Sequence, residues 1–174
     1  MKYLLMALYY EKKISKLRKE VDQLKDINEI DLSKNRSKYL PSTIGDLKII
    51  IELNLDDNKL KKLPEEIVNL KQLESIHLTA NGLQALPDSI GKMQNLMNVT
   101  IDENPIEQLP ESFFNLRNLR SLDVSGTSLR NIPSNVGDLV KLEYLNVGDL
   151  GLDKEQKEIV RKQMARATAV KIIF

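Results

Sequence analysis

The sequence predicts an α/β solenoid, a curved stack of short parallel strands with a capping helix at each end. Three observations lead there. Apolar residues return every 23 residues between residues 27 and 152. Each interval holds a stretch patterned as a short strand, and a Leu-Pro or Ile-Pro pair follows it where the chain turns back.

The first apolar position recurs as Ile27, Ile50, Leu73, Leu96, Leu119 and Leu142. The fourth is Ile30, Leu53, Ile76, Val99, Leu122 and Leu145, and the sixth is Leu32, Leu55, Leu78, Ile101, Val124 and Val147. The turn pairs are Leu40-Pro41, Leu63-Pro64, Leu86-Pro87, Leu109-Pro110 and Ile132-Pro133, with no insertion or deletion between units. Residues two apart in a strand share a face, so positions four and six enter the core while three, five and seven face solvent. Proline cannot donate to a ladder and is placed outside the strand.

This pattern resembles the leucine-rich repeat family, in the 23-residue LxxLxLxxNxLxxLPxxIxxLxx form found in bacterial repeat proteins and plant intracellular Ras-group-related proteins. The resemblance covers roughly Ile27 to Leu152. It implies a parallel concave sheet of six to seven strands and a convex side of irregular or 3-10 segments. A single repeat cannot bury its own edge, so stability depends on stacked neighbours and capped ends. Asn35, Asn58, Asn81 and Asn104 follow the strand, where an amide can satisfy backbone groups of a tight turn. Thr127 and Leu150 replace it in the last two units, and Ser37 departs from the apolar pattern of Leu60 and Leu83.

Residues 1–174 are expected to form one domain: an N-terminal helix over 1–25, repeats over 27–152, and a C-terminal helix and strand over 153–174. Tyr3, Ala7, Tyr10, Ile14, Leu17, Val21 and Leu24 form an apolar stripe at helical spacing. The stripe suits a cap on the first repeat, and its heptad spacing also allows a short coiled coil or helix pair that would join two chains through Met1 to Leu24. The surrounding Leu4, Leu5, Leu8 and Tyr9 widen it. Lys2 and the apolar run after it are followed by Glu11-Lys12-Lys13 without a small-residue cleavage site, and the run is too short to span a bilayer. At the other end Asp153 and Gln156 have the spacing of a capping box ahead of Ile159, Val160 and Met164, giving a helix to about Arg166. Val170 to Phe174 reads as a last strand that protects the sheet edge.

Composition constrains function. The chain has 174 residues, a net charge of +1 and no cysteine. A disulfide framework, a thiol nucleophile and cysteine-ligated zinc are therefore excluded, while both oxidising and reducing compartments stay open. A cytoplasmic location is favoured, with secretion or translocation as an effector as the alternative. The neutral balance gives no general attraction to nucleic acid or anionic membrane.

Positions two, three, five, seven and eight of each unit should line the concave face. Eleven acids fall there: Glu29, Asp31, Glu52, Asp56, Asp57, Glu74, Asp102, Glu103, Asp123, Glu143 and Asp149. Against them stand Lys34 and Arg120, so the face carries −9 and the remaining residues +10. Asn54, His77, Asn98, Thr100, Tyr144 and Asn146 complete the expected partner-binding set. Polar residues would keep any exposed sheet soluble, but one sign of charge is costly between neighbouring strands and fits a basic protein or peptide partner better than nucleic acid.

Catalytic constellations are absent from the sequence pattern. His77 is the sole histidine, no Gly-rich phosphate loop occurs, and the aspartates lack the spacing of a calcium loop. The expectation is a non-enzymatic protein- or peptide-binding module without cofactor or metal. Self-assembly through the N-terminal helix is the alternative.

Overall fold

The computed structural model describes residues 28–165 and 170–174. The predicted N-terminal helix, and with it the Met1–Leu24 dimer contact, lies outside them.

Seven strands form one parallel sheet in chain order: β1 (Glu29–Asp31), β2 (Glu52–Asn54), β3 (Ser75–His77), β4 (Asn98–Thr100), β5 (Ser121–Asp123), β6 (Tyr144–Asn146) and β7 (Lys171–Ile173). Register follows the repeat, with Ile30 opposite Leu53, Leu53 opposite Ile76, and Leu145 opposite Ile172. Lateral hydrogen bonds continue beyond the strands: Leu78 N–H donates to Thr100 O at 2.9 Å and Ala80 N–H to Asp102 O at 3.1 Å. Each return path carries a 3-10 turn, at Ser42–Asp46, Glu65–Asn69, Ile90–Lys92, Glu111–Asn115 and Ser134–Asp138. Four of these start directly after the turn proline, whose fixed φ sets the entry.

The core is a column of one layer per repeat. Leu53, Ile76, Leu122 and Leu145, with Leu55, Leu78, Ile101 and Val124, are buried on its sheet side. Ile44, Ile67, Ile90, Phe113 and Val136 close it from the convex side.

Asparagines lock these layers together. Asn58 Nδ2 donates to Leu55 O at 2.9 Å in its own repeat and to Leu32 O at 2.9 Å in the previous one, while its Oδ1 accepts from Ser37 N–H at 2.9 Å. Asn81 repeats the pattern with Leu78 O, Leu55 O and Leu60 N–H, and Asn104 with Ile101 O, Leu78 O and Leu83 N–H. Ser37 is buried, and its backbone joins this ladder as those of Leu60 and Leu83 do. Thr127 reaches only Val124 O, at 2.7 Å, because a hydroxyl supplies one donor where an amide supplies two.

Two further regularities lie on the return path. Gly45, Gly91 and Gly137 alternate with Val68 and Phe114 at one position, so the repeats differ in odd and even units. A Cβ at Gly45 would overlap the Glu66 carbonyl, and one at Gly91 the Ser112 carbonyl. The next repeat's backbone therefore occupies the missing side chain's place. At the edge where the chain re-enters the sheet, Gln94 Nε2 donates to Asn115 O at 3.0 Å and Arg117 Nη1 to Asp138 O at 2.9 Å. Asn95 and Asn118 donate backward, to Lys71 O and Gln94 O, at 2.8 Å each.

The C-terminal helix, α1 (Lys154–Met164), carries the Asp153–Gln156 capping box and buries Val160 and Met164. Ile159, expected on the apolar side, points outward because it precedes that stripe by one residue. A Cβ on Gly137 would meet Gln163 O at 2.7 Å, so α1 takes the place that the next 3-10 turn would fill. Strand β7 pairs with β6 beyond it.

Three outcomes are expected. Asn104→Ala should lower stability by about 1–3 kcal/mol in urea unfolding by leaving buried turn groups unpaired, and Thr127→Asn should raise it by about 1 kcal/mol. Gly91→Ala should cost about 1–3 kcal/mol, since Ser112 cannot retreat without moving a whole repeat. A neutral Gly91→Ala would contradict that close approach.

Candidate protein-binding face

The strands set out the face as rows of equivalent residues. The third position gives Glu29, Glu52, Ser75, Asn98, Ser121 and Tyr144, and the fifth gives Asp31, Asn54, His77, Thr100, Asp123 and Asn146. Alternation along each strand turns all of these away from the buried fourth and sixth positions.

Many of these side chains bond one another or their own backbone. In the fifth row, Asp31 accepts from Ser33 N–H at 2.9 Å, Asn54 from Asp56 N–H at 2.9 Å, Asp123 from Ser125 N–H at 3.0 Å and Asn146 from Gly148 N–H at 3.0 Å. These Asx turns close the strands, a role that short polar side chains perform at chain turns. Where His77 replaces the Asx residue, Asp56 of the previous repeat accepts from Thr79 N–H at 2.7 Å instead.

A network crosses the centre. His77 Nε2 lies 3.7 Å from Glu52 Oε1 and its Nδ1 3.3 Å from Thr100 Oγ1. Thr79 donates its hydroxyl to Asp102 at 2.8 Å, and Asn98 donates to Ser75 at 2.9 Å. Toward the C-terminal end Asn146 donates to Asp123 at 2.9 Å, Arg120 pairs with Glu143, and Lys171 Nζ lies 5.9 Å from the Tyr144 ring centre. Glu29, Asp57, Glu74, Glu103 and Asp149 take no side-chain hydrogen bond or ion pair from another described residue.

The eighth position was read from sequence as part of the concave floor, yet it has a distinct backbone. Lys34, Asp57, Ala80, Glu103, Gly126 and Asp149 all adopt positive φ, between 53° and 60°. Left-handed geometry turns the chain there, three residues past the end of each strand, and Asp57 and Glu103 are exposed at that turn. Only Gly126 signalled it, since Asp is tolerated in that conformation and Lys, Glu and Ala give no warning.

Burial holds the Asp102 carboxyl above its ordinary value of 3.8; the Thr79 hydrogen bond opposes this and the nearby Asp123 charge reinforces it. A folded pKa above the unfolded one means that the native state binds more protons, so stability falls as pH rises through this range.

The architecture and asparagine ladder define a leucine-rich repeat solenoid. Residues 94–149 match the family described as leucine rich repeat. No curated protein matches the sequence. Among solved structures, a leucine-rich repeat protein of Leptospira interrogans is 28% identical, with 89% of this chain and 39% of that chain covered and a TM-score of 0.82. The plant peptide hormone receptor RGFR1 in complex with RGF2 is 26% identical over 83% of this chain and 24% of that one, with a TM-score of 0.68. A TDR receptor is 26% identical over 77% and 24%, with a TM-score of 0.69. The chain thus spans well under half the length of each. In fold, and in sequence over residues 94–149, the chain is similar to leucine-rich repeat proteins.

Replacing Asp102 by Asn should raise the melting temperature at neutral pH, with the gain shrinking as pH falls through the raised folded pKa and gone once it is below 3.8. Equal melting profiles across that range would contradict the assigned environment.

Proposed function

We propose that this protein is a non-enzymatic binding module whose concave face takes an extended peptide or protein segment bearing basic side chains. The carrying observation is charge: eleven acids against two bases on positions that the sheet aligns, in a chain whose total is +1. Like charges repel across strands, as with Glu29 and Glu52, which are direct neighbours in the register. A cationic partner would relieve that repulsion. RGFR1, a structural neighbour, was solved with RGF2 bound, which supports reading the face as a peptide site.

Six strands at about 4.8 Å spacing and five residues at about 3.3 Å give a face of roughly 24 by 16 Å. Its area, about 400 Å², is half of what a standard interface contributes per partner. A short extended segment suits it, and a folded partner would need the rims as well.

Asp57 and Glu74 are the natural probes, because neither holds up the strand turns. A fluorescent Lys/Arg-rich peptide should bind at low salt and weaken as salt rises. Asp57→Lys with Glu74→Lys should lower affinity about tenfold or more, in line with two lost charge contacts, while circular dichroism stays native. Equal binding of an acidic peptide would reject the proposal.

A further inference from the structure

We propose that two copies of this chain associate through the flank of the solenoid at which the strands end, in an antiparallel pair that leaves the concave face open. Two halves of that flank carry opposite features. On the first two repeats, Lys34, Arg36, Lys38, Lys59, Lys61 and Lys62 are exposed, and none pairs with an acid among the described residues. Tyr39 stands among them at 68% exposure, the highest of the large apolar side chains described. Over the same stretch, positions eight to sixteen of the unit, the third and fourth repeats hold Asp88, Glu103, Glu107 and Glu111 and no base, whereas the first two hold those six bases against Asp57 and Glu65.

Between those acids lies an open cavity of about 580 Å³, walled by Leu86, Pro105, Leu109 and Pro110. Leu109 is half-buried, whereas its equivalents Leu40, Leu63, Leu86 and Ile132 are buried. Its own repeat places the larger Phe113 in the core where the others have Ile or Val. The cavity is thus the one place on this flank where an LP leucine meets solvent.

A two-fold axis near the second and third repeats brings the basic half of one copy against the acidic half of the other, and seats each Tyr39 in the opposite cavity. Such an isologous contact makes every favourable pair twice. A second copy suits both halves at once, whereas a long polyanion would meet the acids beside the lysines. The four repeats span about 14 Å between their outer strands, at the small end for a specific interface, so association is weak and salt-sensitive.

Sedimentation equilibrium of the full chain tests this. At low salt the mass should climb with concentration from 19.9 kDa toward twice that value, and fall back at high salt. Lys59→Glu with Lys61→Glu, and separately Asp88→Lys with Glu107→Lys, should each stay monomeric, and an equimolar mixture of the two should dimerise again. Tyr39→Ser should weaken the dimer about tenfold or more, the scale of one lost buried aromatic. A wild type monomeric throughout, a dimer indifferent to salt and to both exchanges, as one built on residues 1–24 would be, or a mixture that fails to recover would overturn the proposal.

Discussion

Everything in this molecule hangs on one reach: an asparagine amide that bonds its own turn and a carbonyl 26 residues earlier. That geometry tolerates one repeat length only. A single inserted residue would carry Asn81 away from Leu55 O and turn the following strand's apolar set toward solvent. The constant spacing, the in-register parallel sheet and the aligned rows of the concave face are therefore one constraint seen three ways. Since each layer touches only its neighbours, a defect in the ladder acts locally. The gap at Thr127 leaves one such weakness between the fourth and fifth repeats.

The same stacking shapes the candidate surfaces. Because equivalent residues sit side by side, a substitution repeated in neighbouring units becomes a patch. Acids in the strands give the concave face its sign, but their roles differ. Asp31 and Asp123 close turns, Asp56 and Asp102 hold the central network, and Glu74 and Asp57 are left to meet a partner. Lysines at the strand-end flank of the first two repeats build a basic patch beside it. Opposite charges are thus separated by only a few residues of chain, which makes orientation of any partner a matter of which row it meets.

How much of this the sequence revealed depended on whether a feature had a residue signature. Leu53, Ile76 and their equivalents fixed the strands, and Asp153 with Gln156 marked the helix start. The left-handed eighth position was hidden, since Lys34, Glu103 and Ala80 adopt it without glycine. The odd-even alternation of Gly45, Val68, Gly91 and Phe114 was visible in the letters, but its meaning needed the carbonyls of Glu66 and Ser112 in place. Asx turns at Asp31 and Asp123 were likewise unreadable, because an acid that binds its own backbone looks the same in sequence as one that awaits a ligand. The Tyr39 patch and the Leu109 cavity lie far apart in the chain, and only the stack puts them on one flank.

Amide hydrogen exchange tests the central claim that the side-chain ladder sets this order. The N–H groups of Leu60 and Leu83 donate to asparagine oxygens, whereas the position that would serve Ile106 in the same way holds Thr127, whose hydroxyl donates to Val124 O. Under native conditions Leu60 and Leu83 should exchange at least tenfold more slowly than Ile106, the factor expected for about one hydrogen bond. Equal protection at the three amides would show that apolar stacking alone holds the repeats in register, and would contradict the account.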